Sequence, residues 1–418
     1  MAKSDDRGTD TGRRVLLLEN IHRDAVSVLE AAGFSVETVD RALDEAELCE
    51  RVAGVDLLGI RSRTQVSEAV LAAAPDLLAV GAFCIGTNQI DLAAATRRGV
   101  AVFNAPFSNT RSVVELAIAE MISMTRRLTD KSVAMHAGTW DKSAVGSHEI
   151  RGRRLGIVGY GNIGSQLSVI AENLGMHVLF YDTADKLALG NARPCGTLQE
   201  LLESVDIVTL HVDGRPTNRQ LFGEAELAHM RQGSLFLNLS RGFVVDHGAL
   251  RAHLESGHLA GAAIDVFPQE PASSAEPFVS ELRGLPNVIL TPHVGGSTEE
   301  AQQDIGNFVA GKLAAYVLHG STALSVNLPG LDLGELAGGC RLLVVHRNVP
   351  GVLAEINSLI ARHGLNVEGE LLGTRGEVGY VIADVSCDTP GALLDEVAAL
   401  DATIRLRFIT LPPALQPR

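Results

Sequence analysis

A chain of 418 residues is too long for one ordinary core, so two or three domains are expected. With 46% hydrophobic and 20% charged residues it reads as globular rather than disordered, and its net charge of −15 argues against nucleic acid or an anionic membrane as partner. Five cysteines are scattered without a C-x-x-C pair, which points away from zinc or a disulfide framework and toward a reducing cytoplasm.

The first dozen residues are polar, lack a secretory apolar core and read as a disordered tail; no run approaches the roughly 18 apolar residues of a membrane span. From there the pattern predicts strands over 14–18, 56–61, 77–81 and 100–104, with helical patterns between them, the first over 24–33. Alternation of this kind implies a parallel sheet. A long helix is predicted over 112–136, with Ser112 and Glu115 spaced as a capping box.

A second series follows, with strands over 154–158, 178–181, 206–210, 235–238, 262–266 and 288–291. Ser297 and Glu300 would cap a further long helix reaching about Leu318. If that helix packs back on the first series, the first domain is discontinuous. Residues 320–340 turn rich in Gly, Ser and Pro and read as a linker. Beyond it, strands near 341–346, 366–373, 378–385 and 403–410 alternate with helices over 351–363 and 390–399, the βαββαβ ferredoxin-like plan. The fold class is therefore α/β: two doubly wound Rossmann-like domains plus a ferredoxin-like one. The boundaries read as 13–108 with 297–336, 109–296, and 339–418.

Gly159, Gly161 and Gly164 form a G-x-G-x-x-G after a strand and at the start of a helix, the arrangement that brings a pyrophosphate onto helix-terminal amides. Asp182 ends the next strand, 18 residues beyond Gly164, where an acid binds ribose hydroxyls and repels a 2′-phosphate. NAD is the expected cofactor. Downstream, Arg241, Glu270 and His293 sit at three strand ends of the same half-chain. Taken singly they read more often as a surface arginine, a loop charge and a turn residue. Together they supply a carboxylate binder, a counter-charge and an acid/base for alcohol oxidation.

The segments GYGNIG, NLSRG, AAIDVFPQEP and TPHVGGST closely resemble the D-2-hydroxyacid dehydrogenase family. The resemblance implies that Arg241, Glu270 and His293 are catalytic. It also implies cofactor contacts at Asn162 and Ile163, at Leu239, Ser240 and Arg241, at Asp265, and at His293, Val294, Gly295 and Gly296. GIRSRT, GAFCIGTNQIDL and FNAPFSNTRSVVE resemble the phosphoglycerate-oxidising branch, which implies Arg61, Ser62, Arg63 and Asn109 in the substrate pocket and Lys142 reaching it from a neighbouring subunit. Read from the residues alone, Arg61 and Arg63 are a plausible phosphate clamp or an ordinary basic edge. The C-terminal HRNVPGVL resembles the ACT regulatory domain, which implies an L-serine site at His346, Asn348 and Asn366, a hinge at Gly338 and Gly339, and a homotetramer. No metal is implied.

The implied reaction is NAD-dependent oxidation of 3-phospho-D-glycerate in L-serine biosynthesis, feedback-inhibited by L-serine, with 2-oxoglutarate reduction as a side reaction. A related glycerate or lactate dehydrogenase, and an NADH-sensing protein on the same fold, stay open at this point. Asn162 where His is common, NLSRG for NASRG, and the loop HVDGRPTN depart from the family without removing a chemical group.

Overall fold

A computed structural model describes residues 3–5, 12–271, 276–336, 338–386 and 391–410, with side chains from residue 12 onward. Cys387 lies outside the described residues. The chain forms two compact units, Met1–Pro106 with Gln302–Arg418, and Phe107–Ala301.

The first unit holds a five-stranded parallel sheet, ordered Ser35–Thr38, Arg14–Leu17, Leu57–Ile60, Ala79–Ala82, Ala101–Asn104. Its inner strands are apolar apart from the exposed Arg14 because helices cover both faces. Alternate residues divide accordingly: Val15 and Leu17 join one core cluster, Leu16 and Leu18 the other. The helix Glu299–His319 supplies Val309, Leu313 and Tyr316 to the first cluster, closely enough that a Cβ at Gly81 would fall 2.7 Å from Val309 Cγ1. The edge strand Ser35–Thr38 lies outside the predicted strands, because its mostly exposed SVET carries little apolar pattern.

The same unit carries an antiparallel sheet ordered Val367–Arg375, Val378–Val385, Cys340–Arg347, Thr403–Thr410, backed by the helices Val352–Arg362 and Gly391–Ala398. Lys3–Asp5 adds a fifth strand, pairing parallel with Arg405–Arg407. The expected tail is therefore ordered at this point: an exposed strand edge offers backbone donors and acceptors to any sequence.

The sheet is docked on the first domain. Arg407 donates to Tyr316 O (3.3 Å) and Val317 O (2.9 Å). Arg341 donates to His319 O and Gly334 O (2.7 Å each) while its other nitrogens hold Asp384. Tyr380 donates to Gly320 O at 2.8 Å, and Arg405 to Leu77 O. Both Arg407 and Arg341 thus meet carbonyls at the C-terminal end of Glu299–His319, where cations are favoured.

The segment read as a linker is packed. Val326 N donates to Val102 O (2.8 Å), and Asn327 Oδ1 accepts from Val102 N (2.8 Å), so this stretch covers the edge strand Ala101–Asn104. Thr322, Ser325, Asn327 and Leu328 are buried. Gly and Ser here serve close packing rather than freedom.

The second unit is a seven-stranded parallel sheet ordered Val288–Leu290, Leu259–Ile264, Ser234–Asn238, Ile207–Leu210, Arg154–Val158, His177–Tyr181, Arg193–Pro194. The order reverses at Arg154–Val158, and a crevice at such a switch point holds ligands. The predicted helix 112–136 is two helices, Thr110–Arg126 and Leu128–His136, broken at Arg127 with φ 52°. Ser112 does not cap it. Its hydroxyl bonds Thr298 Oγ1 at 2.9 Å, and Glu115 pairs with Arg111. At the next long helix the capping oxygen is Thr298 Oγ1, which accepts from Ala301 N (3.1 Å), one residue after the predicted Ser297.

Candidate active site

The strand Arg154–Val158 runs into Gly159, whose φ is 92°. A Cβ there would fall 2.5 Å from His211 O, and one at Gly164 2.3 Å from Gly159 O, so both positions admit only glycine. Gly161 faces open space, and the helix Asn162–Asn173 starts there with no side-chain cap. Asn162 is exposed and Ile163 half-buried beside these uncapped amides. The cradle fits a pyrophosphate: backbone can approach, donors are unspent, and the helix dipole favours an anion. Asp182 Oδ2 accepts from Tyr160 N (2.8 Å) and Oδ1 from Ala184 N (2.9 Å), which fixes the acid beside the glycine turn while leaving it half-exposed.

On the other side of the switch point, three strand ends bring the polar residues together. Asn238 Oδ1 accepts from Ser240 N and Oγ, and Asn238 Nδ2 donates to Arg241 O (3.0 Å), which shapes the turn bearing Arg241. Leu239 and Ser240 are buried beneath it. Asp265 grips the neighbouring loop through Thr291 Oγ1 (2.6 Å), Val294 N (2.8 Å) and Gly295 N (2.9 Å). Asn109 lies against the same loop, since a Cβ at Gly296 would fall 2.1 Å from its Nδ2.

His293, at φ 55°, projects from this loop with Nδ1 2.9 Å from Glu270 Oε2 and 3.1 Å from Oε1. Glu270 Oε1 also accepts from Phe267 N at 3.1 Å. The hydrogen bond to Glu270, with its negative charge, raises the imidazole above the usual histidine range against the opposing effect of burial. Burial pushes the Glu270 carboxyl up, but the His293 bond and charge, the Phe267 amide and the Arg241 cation outweigh it and hold the group below its usual value. Arg241 exerts its charge on both partners. The left-handed His293 backbone is the kind of strain held at functional loops.

A family pattern described as "D-isomer specific 2-hydroxyacid dehydrogenase, NAD binding domain" matches residues 118–295, and one described as "AHAS small subunit-like ACT domain" matches 342–405. The chain is 49% identical over 397 residues to D-3-phosphoglycerate dehydrogenase of Haemophilus influenzae, covering 95% of this chain and 97% of the relative. It belongs to the D-3-phosphoglycerate dehydrogenase family. The Escherichia coli K12 member is 48% identical over 399 residues, with the same coverage of both chains. Among solved structures, the TT0316 protein of Thermus thermophilus matches with a TM-score of 0.67 at 30% identity, over 72% of this chain and 96% of its own. The chain is an NAD-binding dehydrogenase of this family with an ACT domain, and the cradle at Gly159–Gly164 has the geometry that suits the cofactor's pyrophosphate.

Other expected residues lie elsewhere. Arg61, Ser62 and Arg63 stand in the first unit on the turn after Leu57–Ile60, Arg61 half-buried and the other two exposed. Lys142 Nζ sits 5.9 Å over the ring of the exposed Trp140. His346 ends the strand Cys340–Arg347, buried, with Nδ1 2.8 Å from Arg347 O and Nε2 meeting no hydrogen-bond partner among the described residues. Asn348 Nδ2 donates to Gly376 O (3.0 Å), and Asn366 N to Ser386 Oγ (2.9 Å).

Two carboxylates stand outside the residues that sequence reasoning selects. Glu19 accepts hydrogen bonds from the Arg61–Thr64 turn. Glu120, on Thr110–Arg126, is buried with both oxygens lacking a partner among the described residues. Burial, with the Asp265 charge, raises its carboxyl to about 8. The signal for Glu120 is present in the sequence, as a charge on the apolar face of a helix between Ala117 and Met121.

Proposed function

We propose that the chain carries out NAD-dependent oxidation of 3-phospho-D-glycerate to 3-phosphohydroxypyruvate, entering L-serine biosynthesis, with feedback inhibition by L-serine. The observation that carries the reaction type is the His293–Glu270 pair at 2.9 Å in the sheet that holds the NAD cradle. The substrate follows from relatives named D-3-phosphoglycerate dehydrogenase at 45–49% identity.

Bound NAD supplies the hydride acceptor. His293 Nδ1 is taken up by Glu270, which leaves Nε2 to receive the substrate hydroxyl proton as the carbinol hydride departs. Glu270 holds the ring and stabilises the imidazolium that results. Arg241 binds the substrate carboxylate with a planar donor pair, and its charge favours the neutral histidine that the oxidation needs. Asp265 keeps the His293 loop in register through three hydrogen bonds. Arg61 and Arg63 hold the phosphate, with Ser62 and Asn109 beside the substrate and Lys142 contributed by a second copy.

On this reading residues 13–108 with 297–336 bind substrate, 109–296 bind NAD and 339–418 regulate. The buried His346 Nε2, which meets no hydrogen-bond partner among the described residues, supports an effector site at His346, Asn348 and Asn366 for a small zwitterion. Exposed Val133, Met135, Trp140 and Val145 support a subunit contact within a homotetramer. No helix among the described residues is long and apolar enough to cross a membrane, and the reading places the enzyme in the cytoplasm.

The test is NADH oxidation by purified protein with 3-phosphohydroxypyruvate, with and without L-serine. Turnover that L-serine suppresses is expected. No turnover with this substrate would overturn the assignment, and turnover untouched by L-serine would remove the effector. The same assay with 2-oxoglutarate tests the side reaction.

A further inference from the structure

Glu19 stands at the end of the strand Arg14–Leu17 with φ 64°, followed by Asn20 at φ 53°. Two consecutive non-glycine residues in the left-handed region cost energy that glycine would not. Strain of this kind persists where the side chain has work to do.

Its carboxylate is 8% exposed and fully engaged. Oε1 accepts from Arg61 N (3.1 Å) and Thr64 N (2.9 Å), and Oε2 from Arg63 N (3.1 Å). The carbonyl of Arg61 is taken by Gln89 Nε2 at 2.6 Å. The main chain of Arg61 is thus held at both its N–H and its C=O. Glu19 is itself fixed, its N–H donating to Arg41 O (3.2 Å) and that of Asn20 to Val39 O (3.4 Å). A turn of four residues that carries two guanidiniums cannot form regular backbone pairs for its N–H groups. One buried carboxylate supplies three of them, each a charge-assisted bond.

We propose that Glu19 is a positioning residue for the phosphate of the substrate, acting through the main chain of Arg61–Thr64. The carboxylate lies beneath the turn and fixes where Arg61 and Arg63 begin. It also sets one negative charge behind two cations, so that they can stay close before the phosphate arrives. This rests on Arg61 and Arg63 being the phosphate clamp. Affinity for the phosphorylated substrate therefore depends on a residue that never touches it.

The experiment compares steady-state kinetics of the full-length enzyme and its Glu19→Gly, Glu19→Gln and Arg61→Ala variants. Each is assayed with NADH and either 3-phosphohydroxypyruvate or unphosphorylated hydroxypyruvate. Glu19→Gly removes the carboxylate but suits the left-handed backbone, so a purely structural role, in which the side chain only satisfies the three turn N–H groups, predicts a lowered Tm and an unchanged KM. The positioning role predicts a KM for the phosphorylated substrate raised at least roughly tenfold, with kcat and the NADH Kd within about twofold. KM for hydroxypyruvate stays within about twofold. Glu19→Gln, which retains one acceptor oxygen, restores part of the loss. An unchanged KM in Glu19→Gly beside a raised KM in Arg61→Ala overturns the role of Glu19 and leaves the clamp standing. An unchanged KM in both overturns the clamp and the proposal with it. Equal losses on both substrates make Glu19 a general structural residue and also overturn it.

Discussion

Both carboxylate oxygens of Glu270 lie within hydrogen-bond reach of one nitrogen of His293, at 2.9 and 3.1 Å. The imidazolium is thereby favoured, and the folded-state pKa of His293 is raised. On the proposed mechanism oxidation needs the neutral ring, so its rate rises as pH climbs through that raised value; reduction needs the imidazolium and falls over the same range. In Glu270→Gln the charge is gone and the His293 pKa drops. The acidic limb of kcat/KM for oxidation is expected to move to lower pH, and the fall of the reductive rate to move with it. Orientation is also lost, so kcat falls roughly 10- to 100-fold at the optimum. Parallel pH profiles in both directions measure this, and a limb that stays in place would remove the pair from proton transfer.

Asp265 is expected to matter through the loop it holds. Its Oδ1 serves Thr291 Oγ1 and Val294 N, and its Oδ2 serves Gly295 N. Asp265→Asn sets an amide N–H against one of these donors, which leaves a half-buried group unpaired at a cost of about 1–3 kcal/mol. Stopped-flow NADH binding is expected to weaken roughly tenfold, with kcat falling as His293 loses its place. Both effects should appear without loss of the cooperative unfolding transition.

How far these roles are legible in sequence depends on how local they are. Gly159, Gly161 and Gly164 declare themselves, because a strand, a turn and a helix lie within one short stretch, and Gly159 and Gly164 each answer a local clash. Arg241, Glu270 and His293 become a set only because parallel strands deliver their C-terminal ends to one edge. Glu19 is invisible there: it reads as the polar end of a strand, and its partners Arg61, Arg63 and Thr64 are more than forty residues away. The segment 320–340 reads as a linker because Gly, Ser and Pro signal one by composition, while within it Asn327 and Ser325 use the same small polar groups to cover a sheet edge. The pairing of Lys3–Asp5 follows from the open edge of Thr403–Thr410, which its own residues do not announce.

Glu120 should make stability depend on pH. Its carboxyl is raised to about 8 by burial, with the Asp265 charge adding to it, so it is neutral in the fold at pH 7, while in the unfolded chain it ionises near the ordinary 4.5. The unfolded state therefore binds fewer protons between those values, and stability is lost as pH rises from about 4.5 to about 8. Below that window its contribution is fully present. Glu120→Gln, which cannot ionise, is expected to gain Tm relative to the parent at pH 8 and to match it at pH 4.5. Thermal unfolding at a series of pH values checks this, and a Tm difference independent of pH would refute it.

Arg407 tests whether the C-terminal antiparallel sheet is locked to the parallel-sheet domain it packs on. Its guanidinium is buried, stacks 4.7 Å from the centre of the Tyr316 ring and donates to Tyr316 O and Val317 O. Arg341 performs the parallel task at His319 O. Arg407→Ala takes the side-chain donor from Val317 O, while Tyr316 O keeps Gly320 N, and removes a favourable cation from the negative pole of the helix Glu299–His319, which should cost about 3 kcal/mol. None of the residues proposed for chemistry is touched, so kcat with 3-phosphohydroxypyruvate should remain within about twofold. If serine acts by shifting the docked sheet, its inhibition needs the sheet and the helix to move as one body. The variant should then keep L-serine binding, measured by calorimetry, while losing most of the inhibition that binding brings. Retained inhibition together with lowered stability would show that the signal leaves the sheet by another route.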